Sequence, residues 1–279
     1  MSDVPAEQIK IGYLGPDGTF SHAAARSIFG ANARYAEEAT IEGVFDAVSK
    51  SQVTYGVVPI ENSSEGSVTR AVDALLEGNG VLIRGELEMA VSQCLITRAT
   101  ELASIERVCS HPQALGQCRL WLSKNLPHAQ VHSTSSTTAA VREAALDART
   151  AAIASGLASE IYGVPVARES IQDSAENITR FVIIGHDDVP RTGSDKTTLT
   201  FSVKNSRGAL RRVLEIFDEE AVSLTRIESR PSHQKAWDYI FLVDLEGHRE
   251  DPSVTRSMAR LAGVCVAVRS LGSYPRSRT

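Results

Sequence analysis

The run Ala175-Glu176-Asn177-Ile178-Thr179-Arg180-Phe181-Val182-Ile183-Ile184 passes from polar residues directly into a short apolar strand. A strand that opens on Asn, Thr and Arg aims an amide, a hydroxyl and a cation from one rigid element. The same residues also suit an ordinary turn, with Asn and Thr satisfying the backbone and Arg solvated. The run also marks a change of pattern. Upstream of it, from Ile9, short apolar runs alternate with amphipathic ones. Ile9–Leu14, Tyr55–Ile60, Arg107–Cys109, Gln130–His132 and Ala151–Ala154 read as strands. Ser21–Phe29, Ile41–Ser49, Val68–Leu76, Gln113–Leu122, Thr137–Leu146 and Leu157–Tyr162 read as helices. That alternation predicts parallel α/β units. The longer apolar stretch Val81–Thr97 supplies extended segments that cross between two lobes.

Downstream, Gly185–Asp195 is polar, punctuated by Gly and Pro, and reads as a linker. Leu199, Phe201 and Val203 then alternate with polar residues as in a half-buried strand. A helix over Gly208–Glu219, strands Val222–Ser229 and Trp237–Leu245, a helix Ser253–Leu261 and a strand Val264–Leu271 complete the order βαββαβ, the ferredoxin-like motif. So small a layer of sheet and helices often gains from pairing with a second copy. Tyr274–Thr279 reads as a solvated tail.

Acidic residues outnumber basic ones 34 to 29, for a net charge of -5, with no basic run, which argues against a nucleic-acid partner. No basic segment followed by an apolar core opens the chain, and no stretch is long enough to span a bilayer, so a cytoplasmic protein with no membrane partner is expected. Cys94, Cys109, Cys118 and Cys265 form no CxxC pair and lie inside apolar patterns, as small buried hydrophobes in a reducing compartment. The histidines have no ligand spacing, so no metal site is expected.

Polar clusters recur where a strand meets a helix, the usual ligand-holding place in α/β proteins. Gly12, Gly15 and Gly18 lead into Thr19-Phe20-Ser21, where backbone amides and a helix dipole suit an anion. Their spacing is GxxGxxG, with Pro16 inside, which does not match the GxGxxG of a dinucleotide site. Glu61-Asn62-Ser63 is either an Asx turn or a set of donors for a carboxylate or hydroxyl, with Glu61 as acceptor. Ser110-His111-Pro112-Gln113 brings Pro112 to a helix start and puts Gln113 and Gln117 one turn apart, with His111 in a capping position that suits a structural or solvated role, a general base being the alternative. Ser135, Ser136 and Thr137 are more hydroxyls than one helix cap needs. Arg226-Ile227-Glu228-Ser229-Arg230-Pro231 ends a strand with charges that either protect an edge or meet a ligand or subunit.

Gly15–Ser21, Pro59–Ser63, Ser110–Gln113 with Gln117-Cys118, and Asn177–Phe181, in this order and spacing, resemble the prephenate dehydratase family over nearly the whole chain. The C-terminal part resembles that family's ACT regulatory domain. The resemblance implies an α/β fold: a two-lobed, type 2 periplasmic-binding-protein-like catalytic domain over 8–185, and a ferredoxin-like βαββαβ ACT domain over 196–273. It implies decarboxylative dehydration of prephenate to phenylpyruvate without a cofactor, and regulation by phenylalanine. Thr179 is then the residue that assists hydroxide departure, with Asn62, Ser110 and Gln117 orienting substrate. Thr19, Phe20, Ser21, Glu61, Ser63, Gln113, Asn177, Arg180 and Phe181 would bind it. Asn205, Gly208, Ala209, Leu210, Glu228, Ser229, Arg230 and Pro231 would hold phenylalanine. Arg207 stands where the family usually has Pro before Gly-Ala-Leu, a departure that bears on the strength of regulation. Members often carry an N-terminal chorismate mutase domain, and with the dehydratase pattern starting within the first dozen residues that activity is not expected here. A homodimer or homotetramer is implied. Arogenate, which bears an amino group where prephenate has a keto group, is the rival substrate, and a non-catalytic amino-acid sensor is the rival class.

Overall fold

Strand β1 (Lys10–Leu14) feeds α1 (Phe20–Phe29), β2 (Arg34–Glu38) feeds α2 (Ile41–Ser49), and β3 (Tyr55–Asn62) turns back through the short β4 (Gly66–Ser67). The computed structural model describes residues 9–77, 80–232 and 239–277. The chain divides into two compact units, one containing described residues up to 71 together with 88–181, the other 72–87 together with those from 182 onward.

In the first unit β1 lies parallel to both β2 and β3, with Ile11 opposite Tyr35 on one side and Tyr55 on the other. α3 (Thr69–Glu77) and β5 (Leu82–Ala90), most of which belong to the other unit, follow in the chain. The second sheet is built from β6 (Cys94–Thr97), β7 (Arg107–Ser110), β8 (Gln130–Ser133), β9 (Thr150–Ala154) and β10 (Val166–Arg168). Between them come α4 (Pro112–Gln117), α5 (Arg119–Asn125), α6 (Thr137–Leu146) and α7 (Gly156–Tyr162). The strand order is β10-β6-β9-β7-β8, with β7 parallel to β8 and β9 and the rest antiparallel. Successive side chains on a strand point to opposite faces, and both faces here are apolar. Leu95, Val108 and Ile153 join one buried cluster and Ile96, Cys109 and Ala152 the other.

β11 (Ile178–Gly185) returns to the first sheet, whose order is β2-β1-β3-β11-β5. The chain therefore passes between the two sheets twice, through the segments after β5 and before β11. They are bonded to each other: Val91 N–H donates to the Asn177 carbonyl at 2.8 Å and Ile171 N–H to that of Gln93 at 2.9 Å. Two α/β lobes joined by two crossing segments is the arrangement expected from the sequence. β2 and β10 were not expected; both are short, and neither shows a fully buried residue to mark it. The expected helix Gln113–Leu122 is broken at Cys118. There Asp173 N–H donates to the Gln117 carbonyl at 2.7 Å, and the Asp173 carboxylate accepts from Leu120 and Trp121 N–H at 2.9 and 3.0 Å. A residue distant in sequence thus ends one helix and caps the next.

The second unit has the expected βαββαβ order: β12 (Asp195–Ser202), α8 (Ala209–Glu219), β13 (Leu224–Pro231), β14 (Tyr239–Glu246), α9 (Pro252–Val264) and β15 (Ala267–Pro275). The sheet runs β13-β14-β12-β15, antiparallel throughout. Trp237 and Asp238, expected to open the strand before the last helix, lie outside the described residues. Leu199, Phe201, Val213, Phe217, Val243, Leu245, Val254 and Leu261 form the core between sheet and helices. On alternate strand positions Thr198 donates to Asp244 at 2.6 Å and shares a 2.6 Å bond with Tyr274. Tyr274 is fully buried, which corrects the reading of 274 as part of a solvated tail.

Elements from 72–87 complete this unit. Arg230 forks the Asp73 carboxylate at 2.7–3.1 Å, and Arg269 donates to the Leu75 and Leu76 carbonyls at 2.8 Å, satisfying orphan groups at the end of α3. Lys196 and Glu86 form a buried ion pair at 2.8 Å.

Candidate active site

The pleat decides which residues of β3 and β11 share a face. Asn62, at the end of β3, and Thr179 and Phe181, two apart on β11, line a cavity of about 490 Å³. Asn62 Nδ2 donates to Thr179 Oγ1 at 2.9 Å and to Asn177 Oδ1 at 2.8 Å. Its Oδ1 accepts from Ser64 and Glu65 N–H at 3.0 and 3.2 Å. The Asn62 amide is thereby fixed in one orientation, and the Thr179 oxygen already accepts a bond, leaving its own proton to be donated.

Glu61 and Arg180, one position away on the same strands, fall on the opposite side. Their charged groups pair at 3.7 Å, and neither lines the cavity. Ser63 also turns away from it. Its hydroxyl donates to the Glu176 carbonyl at 2.8 Å and accepts from Ile178 N–H at 2.9 Å, lacing β3 to β11. Asn177 supports Asn62 from behind the cavity wall. Ser110 is the clearest departure from expectation: it is fully buried, donates to the Ile153 carbonyl at 2.6 Å, and does not reach the cavity.

Thr19, Phe20, Ser21, Gln113 and Gln117 do line it. All but Gln117, the last residue of α4, come from helix starts. Thr19 caps α1, accepting from His22 N–H at 3.3 Å while donating to the Leu14 carbonyl at 2.9 Å. His111 caps α4, its Nδ1 accepting from Gln113 N–H at 3.3 Å, and Ser136 caps α6, accepting from Ala139 N–H at 3.0 Å. Each cap satisfies one amide, and the other first-turn amides have no partner inside their helices. The N-terminal ends of α1, α4 and α6 all contribute to the wall, as do Ser135, Ser136 and Thr137. Among the described lining residues there is no Lys or Arg, and Glu65 is the one carboxylate. Any affinity for an anion must come from helix ends, amides, hydroxyls and the His111 ring, which also lines the cavity.

The turn before α1 is held tightly. Gly18 has φ +86°, and a Cβ there would sit 3.0 Å from Ala158 Cα, so only glycine fits. Ser155 donates to the Gly18 carbonyl at 2.6 Å, and Gly18 N–H donates to His22 Nδ1 at 3.2 Å. The His22 ring stacks on Tyr13, whose hydroxyl donates to Asp17. Burial, then the Arg26 charge, pushes the His22 imidazole below its ordinary range, against an opposing pull from Asp17. Its Nδ1 serves as a structural acceptor for Gly18.

Gln93 was not anticipated. It lies in the first crossing segment, lines the cavity, and its Nε2 donates to Gln117 Oε1 at 3.0 Å. The polar pair Ser92-Gln93 interrupting the apolar run from Val81 was the available signal.

In the second unit, Asn205, Ala209 and Leu210 line a cavity of about 190 Å³ with Tyr239 and Phe241. Gly208 takes a left-handed conformation, φ +75°, to start α8. The expected β13 residues do not join this cavity: Glu228 pairs with Arg226 at 2.6 Å, Arg230 with Asp73, and Ser229 and Pro231 are not among its lining residues.

The prephenate dehydratase family model matches residues 11–189 and the ACT domain model 197–263. This chain belongs to the prephenate dehydratase family. A bifunctional chorismate mutase/prephenate dehydratase of Aquifex aeolicus is 44% identical over 271 residues, covering 97% of this chain and 75% of that relative. A prephenate dehydratase of Lactococcus lactis is 36% identical over 274 residues, covering 95% of this chain and 97% of the relative. The solved structure of a prephenate dehydratase from Arthrobacter aurescens in complex with L-Phe is 35% identical, covers 96% of this chain and 90% of its own, and has a TM-score of 0.88. Seen as a prephenate dehydratase, the cavity between Asn62, Thr179 and Gln117 is the active-site candidate of the chain.

Proposed function

We propose that this chain converts prephenate to phenylpyruvate, water and carbon dioxide, with 8–185 as its catalytic domain and 196–273 as a regulatory domain. The observation that carries this is the Asn62–Thr179 bond in a cavity whose described lining is mostly neutral, with no Lys or Arg and Glu65 as its one carboxylate. In prephenate the bond from the ring to its carboxylate breaks, its electron pair enters the ring, and the ring hydroxyl leaves from the opposite carbon. One proton is taken up, so that hydroxide departs as water, and aromatisation drives the reaction without a cofactor. Thr179, oriented by Asn62, is the donor to the leaving oxygen, and Gln117 orients the ring. Thr19, Phe20, Ser21 and Gln113 bind substrate, and Glu61, Ser63, Asn177, Arg180 and Ser110 support the wall. Helix ends hold the side-chain carboxylate. A wall without Lys or Arg leaves the ring carboxylate without a strong counter-charge, which favours its loss as neutral carbon dioxide. An oriented donor of this kind contributes about 2 to 4 kcal/mol to the barrier.

We infer further that L-phenylalanine binds the ACT domain around Asn205, Ala209 and Leu210 and lowers activity. The exposed apolar residues Ile227 and Tyr239 on adjacent strands favour a homodimer or homotetramer. No helix among the described residues is long and apolar enough to cross a membrane, and the free thiols, buried at Cys94, Cys109 and Cys118 and half-buried at Cys265, suit a cytoplasmic setting.

The experiment is to follow phenylpyruvate formation from prephenate by purified protein, with and without phenylalanine, and to repeat it with arogenate. Turnover of prephenate supports the reading, and turnover of arogenate alone renames the substrate. A folded protein that turns over neither but binds phenylalanine is a sensor.

A further inference from the structure

Gln93 is 97% removed from solvent by the fold, its relative exposure being 3%, yet it lines the active-site cavity. Its backbone is held on both sides: its N–H donates to Gln172 Oε1 at 2.9 Å and its carbonyl accepts from Ile171 N–H at 2.9 Å. Its side-chain amide donates to Gln117 Oε1 at 3.0 Å. The remaining atom, Oε1, is buried and has no hydrogen-bond partner among the described residues. A buried carbonyl oxygen in that state is costly, and native proteins keep few of them. Its chemistry is restrictive: a neutral amide oxygen accepts hydrogen bonds and repels carboxylates. Of the groups prephenate carries, only the ring hydroxyl can donate to it.

Resting on the prephenate reading above, we propose that Gln93 is a further catalytic residue, whose Oε1 accepts the hydrogen of the departing ring hydroxyl. A hydroxyl leaves as water only if a second proton reaches one of its lone pairs. Thr179 is available as a donor, because Asn62 donates to one lone pair of its oxygen and leaves the hydroxyl proton to be directed elsewhere. For Thr179 to meet a lone pair, the hydroxyl's own hydrogen must be directed elsewhere, and Gln93 Oε1 supplies that second direction. As the C–O bond breaks, the proton donated through Thr179 joins the leaving oxygen. The resulting water then keeps its bond to Gln93. The Gln93–Gln117 bond holds both amides in register, so that Gln117 presents its NH2 end as a donor while Gln93 presents its oxygen.

The test compares wild type with Gln93→Met, nearly isosteric but unable to accept this bond, and Gln93→Glu, which retains an acceptor oxygen. Steady-state turnover of prephenate is measured together with equilibrium binding of phenylpyruvate, which lacks the hydroxyl. Gln93→Met is expected to lower kcat about thirtyfold or more, by the scale of a lost oriented hydrogen bond, while phenylpyruvate binding stays within about twofold. Gln93→Glu is expected to recover at least about a third of the lost activity. Unchanged kcat in Gln93→Met overturns the proposal, and so does a parallel loss of phenylpyruvate affinity, which marks a residue that merely shapes the pocket. Melting temperatures of both variants within a few degrees of wild type keep the comparison valid, and a collapsed Gln93→Met leaves Gln93→Leu to decide by the same two readings. Inactivity of the wild type itself toward prephenate overturns the functional reading, and the proposal falls with it.

Discussion

Asn62 Nδ2 donates to Thr179 Oγ1 at 2.9 Å across two strands 117 residues apart in sequence. That bond occupies one lone pair of the hydroxyl and leaves its proton to be donated, as the proposed role requires. Thr179→Val, which keeps shape and removes the hydroxyl, should lower kcat at least about a hundredfold. Thr179→Ser should retain most of it. Asn62→Ala should lower kcat without a comparable rise in KM, because the donor's orientation rather than substrate binding is lost. Stopped-flow or steady-state assays of phenylpyruvate formation check all three.

Arg180, by contrast, is buried at 8% exposure and faces Glu61 rather than the cavity. Arg180→Met is expected to act mainly on stability. Glu61 remains partly solvated, which holds the cost to about 1–2 kcal/mol, below the 3–5 typical of removing one partner from a fully buried pair. A large rise in KM at unchanged melting temperature would instead make Arg180 a substrate ligand.

Ser110→Ala removes the donor to the Ile153 carbonyl and leaves that buried acceptor short of a bond. Chemical denaturation should show a loss of about 1–2 kcal/mol. Turnover at 25 °C should stay within about threefold, since nothing in the cavity changes.

His22 gives the fold a pH dependence of known sign. Its folded-state pKa lies below the unfolded value, chiefly through burial, so its contribution to stability is complete above about pH 6.5. Below that the unfolded chain takes up protons that the folded one resists, and stability falls with pH toward the folded-state pKa. Thermal melts at pH 7.5 and 5.5 should show a larger drop for wild type than for His22→Gln, whose amide oxygen can still accept from Gly18.

Lys196 and Glu86 are both almost wholly buried, and the carboxylate also accepts from Ser277 N–H at 3.0 Å. Glu86→Gln leaves a buried ammonium without its counter-charge and should destabilise the protein by about 3 kcal/mol. The double variant Glu86→Gln, Lys196→Met should recover a good part of that, measured by urea denaturation.

Period-of-two and period-of-3.6 patterning, Gly and Pro punctuation, and polar residues at strand ends are local signals. From them the sequence alone determined the α/β alternation, the linker after Ile184, the βαββαβ order, and the gathering of Thr19, Asn62, Gln113, Gln117 and Thr179 into motifs. Local pattern also sufficed for His111 as a helix cap, because capping involves residues two or three apart. What tertiary structure decided was which of two neighbouring residues faces the cavity. Thr179 and Arg180 are equally polar and adjacent, and the pleat sends them to opposite sides once β11 pairs beside β3. Ser110 ends the same kind of strand as Asn62, but its hydroxyl meets the Ile153 carbonyl of an adjacent strand instead of the cavity. The break at Cys118 needed Asp173, and the role of Gln93 needed Gln117, Ile171 and Gln172 around it. Each of these depends on a partner distant along the chain, and a hydrogen bond's direction is set by where that partner is brought, which no local spacing encodes.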